Sequence, residues 1–403
     1  RNNMAKISNK SQQMPASAIR KLVPFADAAK EEGVKVYHLN VGQPDIKSPE
    51  CALEAVRKNT LDHVSYSNSA GLIELRRGLV EKYYRKIGID IDVRELIVTV
   101  AGSEGVNLAL QITCDEGDEV IVLEPFYTNY NTFAFMNGIT MKAVHTDIRE
   151  GFKVPDVAEF EKLITPRTKA ILISNPGNPT GTLYSKENML ALGEVARKHD
   201  LFLISDEVYR EFCYTDEPHF SAMNIPGLED NVILIDSVSK RYNLCGCRIG
   251  CIVSHNEEVM KAAMKYAQAR LCPPIYGQLA ALGALDTPDS YFEEVKKEYI
   301  TRRDYMIGRM LKMPGVYSPL PMGAFYTVAE IPVDNAENFA KWMLTEFRHE
   351  GQTTMVTPAA SFYKTPGAGI NHIRAAYVLE VPELEKAMDV LEAGLQQYPG
   401  RTI

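Results

Sequence analysis

From Leu96 onward, short apolar runs alternate with segments of helical period. Leu96-Ile97-Val98-Thr99-Val100, residues 119–123, Ala170-Ile171-Leu172-Ile173-Ser174, Leu201-Phe202-Leu203-Ile204 and Val232-Ile233-Leu234-Ile235 each read as a buried strand, and Cys251-Ile252-Val253 continues another. Helices are expected between them over 106–113, 186–199 and 257–269. This alternation predicts a mostly parallel sheet covered on both faces, an α/β architecture. Ahead of it the pattern predicts a helix over 18–32 closed by Gly33 and a short strand over 36–42. A helix over 49–59 with Ser48 as its cap and an amphipathic helix over 72–85 follow. Beyond it come a long charged helix over 289–313, strands over 323–328 and 372–376, and helices over 336–350 and 382–396. A second domain is therefore placed at 289–403, with 46–288 as the large domain and 1–45 as an arm.

The polar residues that close the strands carry the chemistry. Asn175-Pro176-Gly177-Asn178-Pro179-Thr180-Gly181 is a stiff polar loop after one strand, Asp206 ends another, and Lys240 follows a third. Ligands of open parallel sheets bind beyond the carboxyl ends of strands, so an amide, a carboxylate and an amine brought to one rim read as a single site. An amine in that position can form a Schiff base with a carbonyl. Ser237 and Arg248, on either side of Lys240, supply a hydroxyl and a cationic fork that suit a phosphate dianion. Pyridoxal phosphate carries both an aldehyde and a phosphate. The small-residue turn Ala101-Gly102-Ser103-Glu104-Gly105 before a helix makes a further phosphate seat. Tyr127 lies in an aromatic run past a strand end, where it either stacks on a flat ring or joins the core. Three residues stay open on local grounds. Gly42 is a turn glycine or a point of close backbone approach, Tyr66 is a surface tyrosine or a hydroxyl donor, and Arg374 faces solvent or, turned inward, grips a carboxylate.

Composition narrows the field. The chain has 403 residues, is 45% hydrophobic and carries a net charge of -8, which excludes a nucleic-acid or anionic-membrane surface. No apolar run is long enough to span a membrane and the opening residues lack a signal core, so a cytoplasmic protein is expected. The seven cysteines are odd in number and scattered, as reduced thiols are. Cys245, Cys247 and Cys251 lack both a Cys-x-x-Cys pair and a nearby histidine, so packing rather than a metal is expected there. No Gly-x-Gly-x-x-Gly follows the first strand, which removes a dinucleotide-dependent dehydrogenase.

Leu39-Asn40-Val41-Gly42-Gln43-Pro44-Asp45, the loop 175–181, Ser205-Asp206-Glu207-Val208-Tyr209, the turn 237–250 and Arg374 occur in one order and spacing. In these the chain resembles the class I/II aminotransferases, fold type I pyridoxal-phosphate enzymes. The resemblance implies that the N-terminal arm and the C-terminal segment together form a smaller α+β domain. It implies that Lys240 forms the Schiff base, Asp206 pairs with the pyridinium nitrogen, Asn178 and Tyr209 bond the ring oxygen, and Tyr127 stacks on the ring. Gly102, Ser103, Ser237 and Arg248 would hold the phosphate, with Ser239 assisting, and Tyr66 would reach the phosphate of a neighbouring subunit in a homodimer with sites at the interface. Gly42, Asn178 and Arg374 would bind the substrate. The implied reaction is a ping-pong transfer from an L-amino acid of aspartate, alanine or aromatic type to a 2-oxo acid, with 2-oxoglutarate as acceptor. The chain departs from the family pattern at Cys247, where many relatives have tryptophan. It departs again at Ser103-Glu104, which supplies no cation where an aspartate-preferring branch has lysine. A C–S lyase or other eliminase on the same fold shares these residues, and a non-catalytic pyridoxal-phosphate-binding regulator is the rival of another class. A regulator of that kind carries a DNA-binding module, for which the residues before Gly42 are too few.

Overall fold

The computed structural model describes residues 4–403; the first three residues of the expected arm lie outside the described residues. The strands are β1 (Lys35–His38), β2 (Leu96–Val100), β3 (Glu119–Glu124), β4 (Thr140–His145), β5 (Thr168–Ser174) and β6 (Phe202–Asp206). They continue as β7 (Val232–Ser237), β8 (Ile249–Val253), β9 (Tyr326–Glu330), β10 (Gln352–Met355), β11 (Thr357–Pro358) and β12 (His372–Ala376). The large sheet has the order β2-β8-β7-β6-β5-β3-β4. β8 runs antiparallel to both β2 and β7, and the other neighbours are parallel. Every residue of β7 and β8 is buried, as a sheet covered on both faces requires. Side chains alternate between two cores: Leu203, Val232 and Leu234 enter one, and Ile204, Ile233 and Ile235 the other.

A second layer is built from the two ends of the chain. β1 pairs in parallel with β10, Lys35 opposite Gln352 and His38 opposite Met355. β11, β12 and β9 form an antiparallel sheet with β12 at its centre. Leu22 and Tyr37 from the start of the chain share one apolar core with Phe339, Leu384 and Met388 from its end. The mostly parallel α/β sheet is as expected, and β4 is a seventh strand that the sequence pattern did not predict.

Several local expectations are corrected. The helix expected over 18–32 is Val23–Glu31, with Pro24 in its first turn, because residues 18–22 form a turn instead. β1 stops at His38, four residues short of Gly42. Ser48 does not cap the helix Glu50–Lys58; its hydroxyl donates to the Asn243 carbonyl at 2.6 Å. The helix expected over 72–85 begins as Ile73–Gly78 and continues as a π-helical run, Leu79–Tyr84. After β2 there is no separate glycine turn, since Ala101 at φ 61° reverses the chain in one residue and starts the helix Ala101–Thr113. The helix expected over 336–350 ends at Thr345, where the chain turns back into β10.

Candidate active site

The carboxyl ends of β5, β6 and β7 open into a cavity of about 690 Å³ closed on its far side by residues of the second layer. Lys240 enters it from a four-residue helix, Val238–Arg241, whose N-cap Ser237 accepts the Ser239 N–H at 3.0 Å. Its Nζ donates to the Gly42 carbonyl at 2.6 Å and lies 5.8 Å from the centre of the Phe325 ring. Behind the turn, the buried Asp236 carboxylate accepts from Arg241 at 2.6 Å, Arg210 at 2.9 Å and the Tyr84 hydroxyl at 2.6 Å. Burial opposes ionisation there, yet the two guanidinium groups hold the Asp236 carboxyl well below the usual carboxylate range. That buried network anchors the lysine turn.

Asp206, at the end of β6, accepts from the Tyr130 hydroxyl at 2.5 Å and from the Val208 N–H at 3.4 Å. Burial pushes its carboxyl up to about 6, with the Tyr130 bond pulling the other way. No ion pair is formed by Asp206 among the described residues. A buried carboxyl without a protein cation beside it fits a cationic ligand group such as a protonated ring nitrogen.

One end of the cavity is assembled by β12. Arg374 is 2% exposed, so the inward orientation is the one adopted. It donates to Asn178 Oδ1 at 3.1 Å and to the Asn40 carbonyl at 2.7 Å, while its buried Nε has no partner. The rings of Tyr326, at 4.4 Å, and Phe362, at 5.3 Å, lie against the guanidinium. Tyr326 also shares a hydrogen bond of 2.8 Å with the Tyr209 hydroxyl. A Cβ on Gly42 would fall 1.7 Å from Tyr326 Oη, so close backbone approach, not a plain turn, explains this glycine.

Opposite these groups is a seat for an anion. Gly102 and Ser103 occupy the first turn of Ala101–Thr113 and line the cavity with Ser237, Ser239 and Arg248, where helix N–H groups and dipole favour negative charge. The buried Ser239 hydroxyl has no partner. Arg248 is held in the left-handed region at φ 57° and donates to the Cys245 carbonyl at 3.0 Å. Tyr127 lines the same cavity and meets Tyr130 edge-on at 5.5 Å. Of the residues singled out from sequence, Tyr66 alone stands apart. It is 76% exposed and lines no part of this cavity. Tyr326, Tyr130 and Arg20 belong to the site and were not singled out. Tyr130 sits in the flagged aromatic run, whereas the helical period assigned to 18–32 hid Arg20. Cys245 lines the cavity and donates to the Ser239 carbonyl at 3.3 Å, and the buried Cys251 lies 3.2 Å from the Tyr84 hydroxyl.

The family model described as aminotransferase class I and II matches residues 34–390. The aspartate/prephenate aminotransferase of Thermus thermophilus is 32% identical, covering 96% of this chain and 98% of its own. The solved aspartate aminotransferase from Thermus thermophilus with maleate superimposes with a TM-score of 0.88 at 31% identity, over 97% of this chain and 100% of that one. An alanine aminotransferase from Pyrococcus furiosus superimposes with a TM-score of 0.87 at 32% identity, over 96% of this chain and 99% of that one.

Proposed function

This chain belongs to the class I and II aminotransferases, and from that premise we propose that its cavity holds pyridoxal phosphate and carries a ping-pong transamination. The observation that supports this most directly is the pairing, in one cavity, of the Lys240 amine with the unpaired, buried Asp206 carboxyl. The residues present fit the group. Lys240 takes its aldehyde, Asp206 its ring nitrogen, Asn178 and Tyr209 its ring oxygen, and Tyr127 its face. Gly102, Ser103, Ser237, Ser239 and Arg248 take its phosphate, and Tyr66 serves the site of a second copy in a homodimer. When bound, the cofactor supplies an electron sink for the charge left on the substrate's Cα.

The protein's part follows from placement. Asp206 keeps a proton on the ring nitrogen, because an ion pair is favoured once both partners are buried together. Arg374, with Nε free, and the N–H of Gly42 receive the substrate's α-carboxylate. Lys240, tethered to the Gly42 carbonyl, stands where it can take the Cα proton and return it on the other side of the transfer. Donors of aspartate, alanine or aromatic type and 2-oxoglutarate as acceptor complete the reading. We further take 46–288 as the large domain and 1–45 with 289–403 as the small one. Among the described residues no helix is long and apolar enough to cross a membrane, and we assign the protein to the cytoplasm on the strength of its unpaired thiols.

Lys240→Ala tests the assignment. Amino transfer from L-amino acids, followed by the absorbance change of the cofactor, should fall by about three orders of magnitude. Undiminished transfer overturns it.

A further inference from the structure

We propose that Glu124 is a positioning residue, a latch that ties the layer carrying Arg374 to the sheet carrying Tyr127 and so sets where the substrate's α-carboxylate is held. This deepens the reading above and rests on it. Glu124 is the last residue of β3, it is 0% exposed, and the proposed chemistry makes no use of it. A carboxylate is seldom buried whole, because its charge loses its water; here four donors replace that water. Oε2 accepts the Lys364 N–H at 2.6 Å and the Thr365 N–H at 3.1 Å, while Oε1 accepts the Thr365 hydroxyl and lies 2.9 Å from His145 Nδ1. Two successive backbone N–H groups aimed at one oxygen form a concave anion seat, and its occupant is a side chain of this same chain. Burial opposes ionisation, yet the Thr365 hydroxyl, His145 and the two N–H groups hold the Glu124 carboxyl below the usual carboxylate range. Lys364 and Thr365 are themselves exposed, so the carboxylate, rather than apolar packing, holds these two residues.

The latched segment leads directly to Arg374. It lies in the connection from β11 to β12, and the Phe126 N–H donates to the Phe362 carbonyl at 2.9 Å, a second tie between the same two stretches. The buried Phe362 places its ring 5.3 Å from the Arg374 guanidinium. Tyr363 Oη lies 3.0 Å from His372 Nδ1, and the Ala359 N–H donates to the His372 carbonyl at 2.9 Å. His372 opens β12, the strand that carries Arg374. On the other side, Glu124 runs through Pro125 and Phe126 into Tyr127, which lines the cavity. The aromatic wall and the carboxylate grip are therefore joined through Glu124 and the backbone bond beside it. Hydrogen bonds to a buried charge are costly to lose, so the spacing between wall and grip is held within narrow limits.

The experiment uses Glu124→Gln, which keeps the shape but turns an amide nitrogen towards donors that need an acceptor, with Thr365→Val and Thr365→Ser at an exposed position. In cofactor-free protein, hydrogen exchange at the Lys364 and Thr365 amides should be about tenfold faster in Glu124→Gln than in wild type, with the amides of β7 unchanged. In the holoenzyme, KM for the amino donor should rise about fivefold with kcat within about twofold of wild type, since the groups around Lys240 keep their places. Thr365→Val should move exchange and KM the same way by about twofold, and Thr365→Ser, which retains the hydroxyl, should match the wild type. Wild-type exchange or a wild-type KM in Glu124→Gln overturns the proposal; if that variant does not fold, wild-type values in Thr365→Val overturn it. A wild-type holoenzyme that transfers no amino group overturns the transaminase reading instead, and exchange in the cofactor-free chain still decides whether Glu124 holds the latch.

Discussion

Asp206 is a carboxyl that the fold itself leaves unneutralised. Burial raises it from 3.8 to about 6, so between those values the folded chain holds a proton that the unfolded chain has released. Stability then falls as pH rises through that window and the loss is complete above pH 6, amounting to about 3 kcal/mol at roughly 1.4 kcal/mol per unit. Asp206→Asn removes the ionisation while keeping an oxygen for the Tyr130 hydroxyl. In cofactor-free protein this variant should therefore be more resistant to urea than the wild type at pH 8 by about 3 kcal/mol, with the two curves converging below about pH 4. Parallel pH profiles would show that the carboxyl is not strained by its burial. Amino transfer should move the opposite way, dropping about a hundredfold or more, because the residue that weakens the bare protein is the one proposed to hold the ring proton.

The seat proposed for the phosphate depends on how two elements cross. β8 runs against the first turn of the helix Ala101–Thr113, and a Cβ on Gly250 would meet the Asp236 carbonyl oxygen at 2.5 Å and the Gly102 nitrogen at 2.8 Å. Both are backbone atoms that cannot swing aside. Gly250→Ala should lower the urea-unfolding free energy by about 1–3 kcal/mol and weaken phosphate-dependent cofactor retention in dialysis; a variant with wild-type values on both counts would refute the crossing as drawn. The contrast between legible and hidden elements has the same physical root. β5, β6 and β7 carry apolar residues through strands that are buried along almost their whole length, so their ends, and with them Asn178, Asp206 and Lys240, could be placed from sequence, whereas the short β12 left the orientation of Arg374 open. β4 is an edge strand with a mixed pattern of exposure, and its Thr140 and Lys142 blur the period. The helix Ile275–Ala284 is rich in small apolar residues on nearly every side, which erases the amphipathic signal. The start of Ala101–Thr113 depends on an alanine at positive φ, a conformation that composition argues against. Arg20 and Tyr326 are brought to the cavity by contacts between the two ends of the chain, and no local pattern carries those contacts.

The exposure of Tyr66 has a consequence for the assembled molecule. It lies in the loop that contains Val64, and that loop is tied to the last residue of Glu257–Arg270 by Arg270 Nη1 to the Ser69 carbonyl at 3.1 Å and to the helix Ile275–Ala284 by Gln278 Nε2 to Ser67 Oγ at 3.1 Å. Val64, Tyr66, Leu271 and Tyr276 are thereby left exposed on neighbouring segments, an apolar surface that a second copy can cover. If that surface joins two chains, the hydroxyl of Tyr66 reaches out of its own subunit, in keeping with its absence from its own cavity. Sedimentation should then give twice the mass of one chain, and Val64→Glu combined with Leu271→Glu should give single chains, since two charges at the centre of an apolar contact are left without partners. Those single chains should keep the fold by circular dichroism and yet lose cofactor readily, with amino transfer down about tenfold or more, because each site lacks the hydroxyl supplied from across the interface. A single-chain wild type, or separated chains of full activity, would remove both the interface and the role of Tyr66 at once.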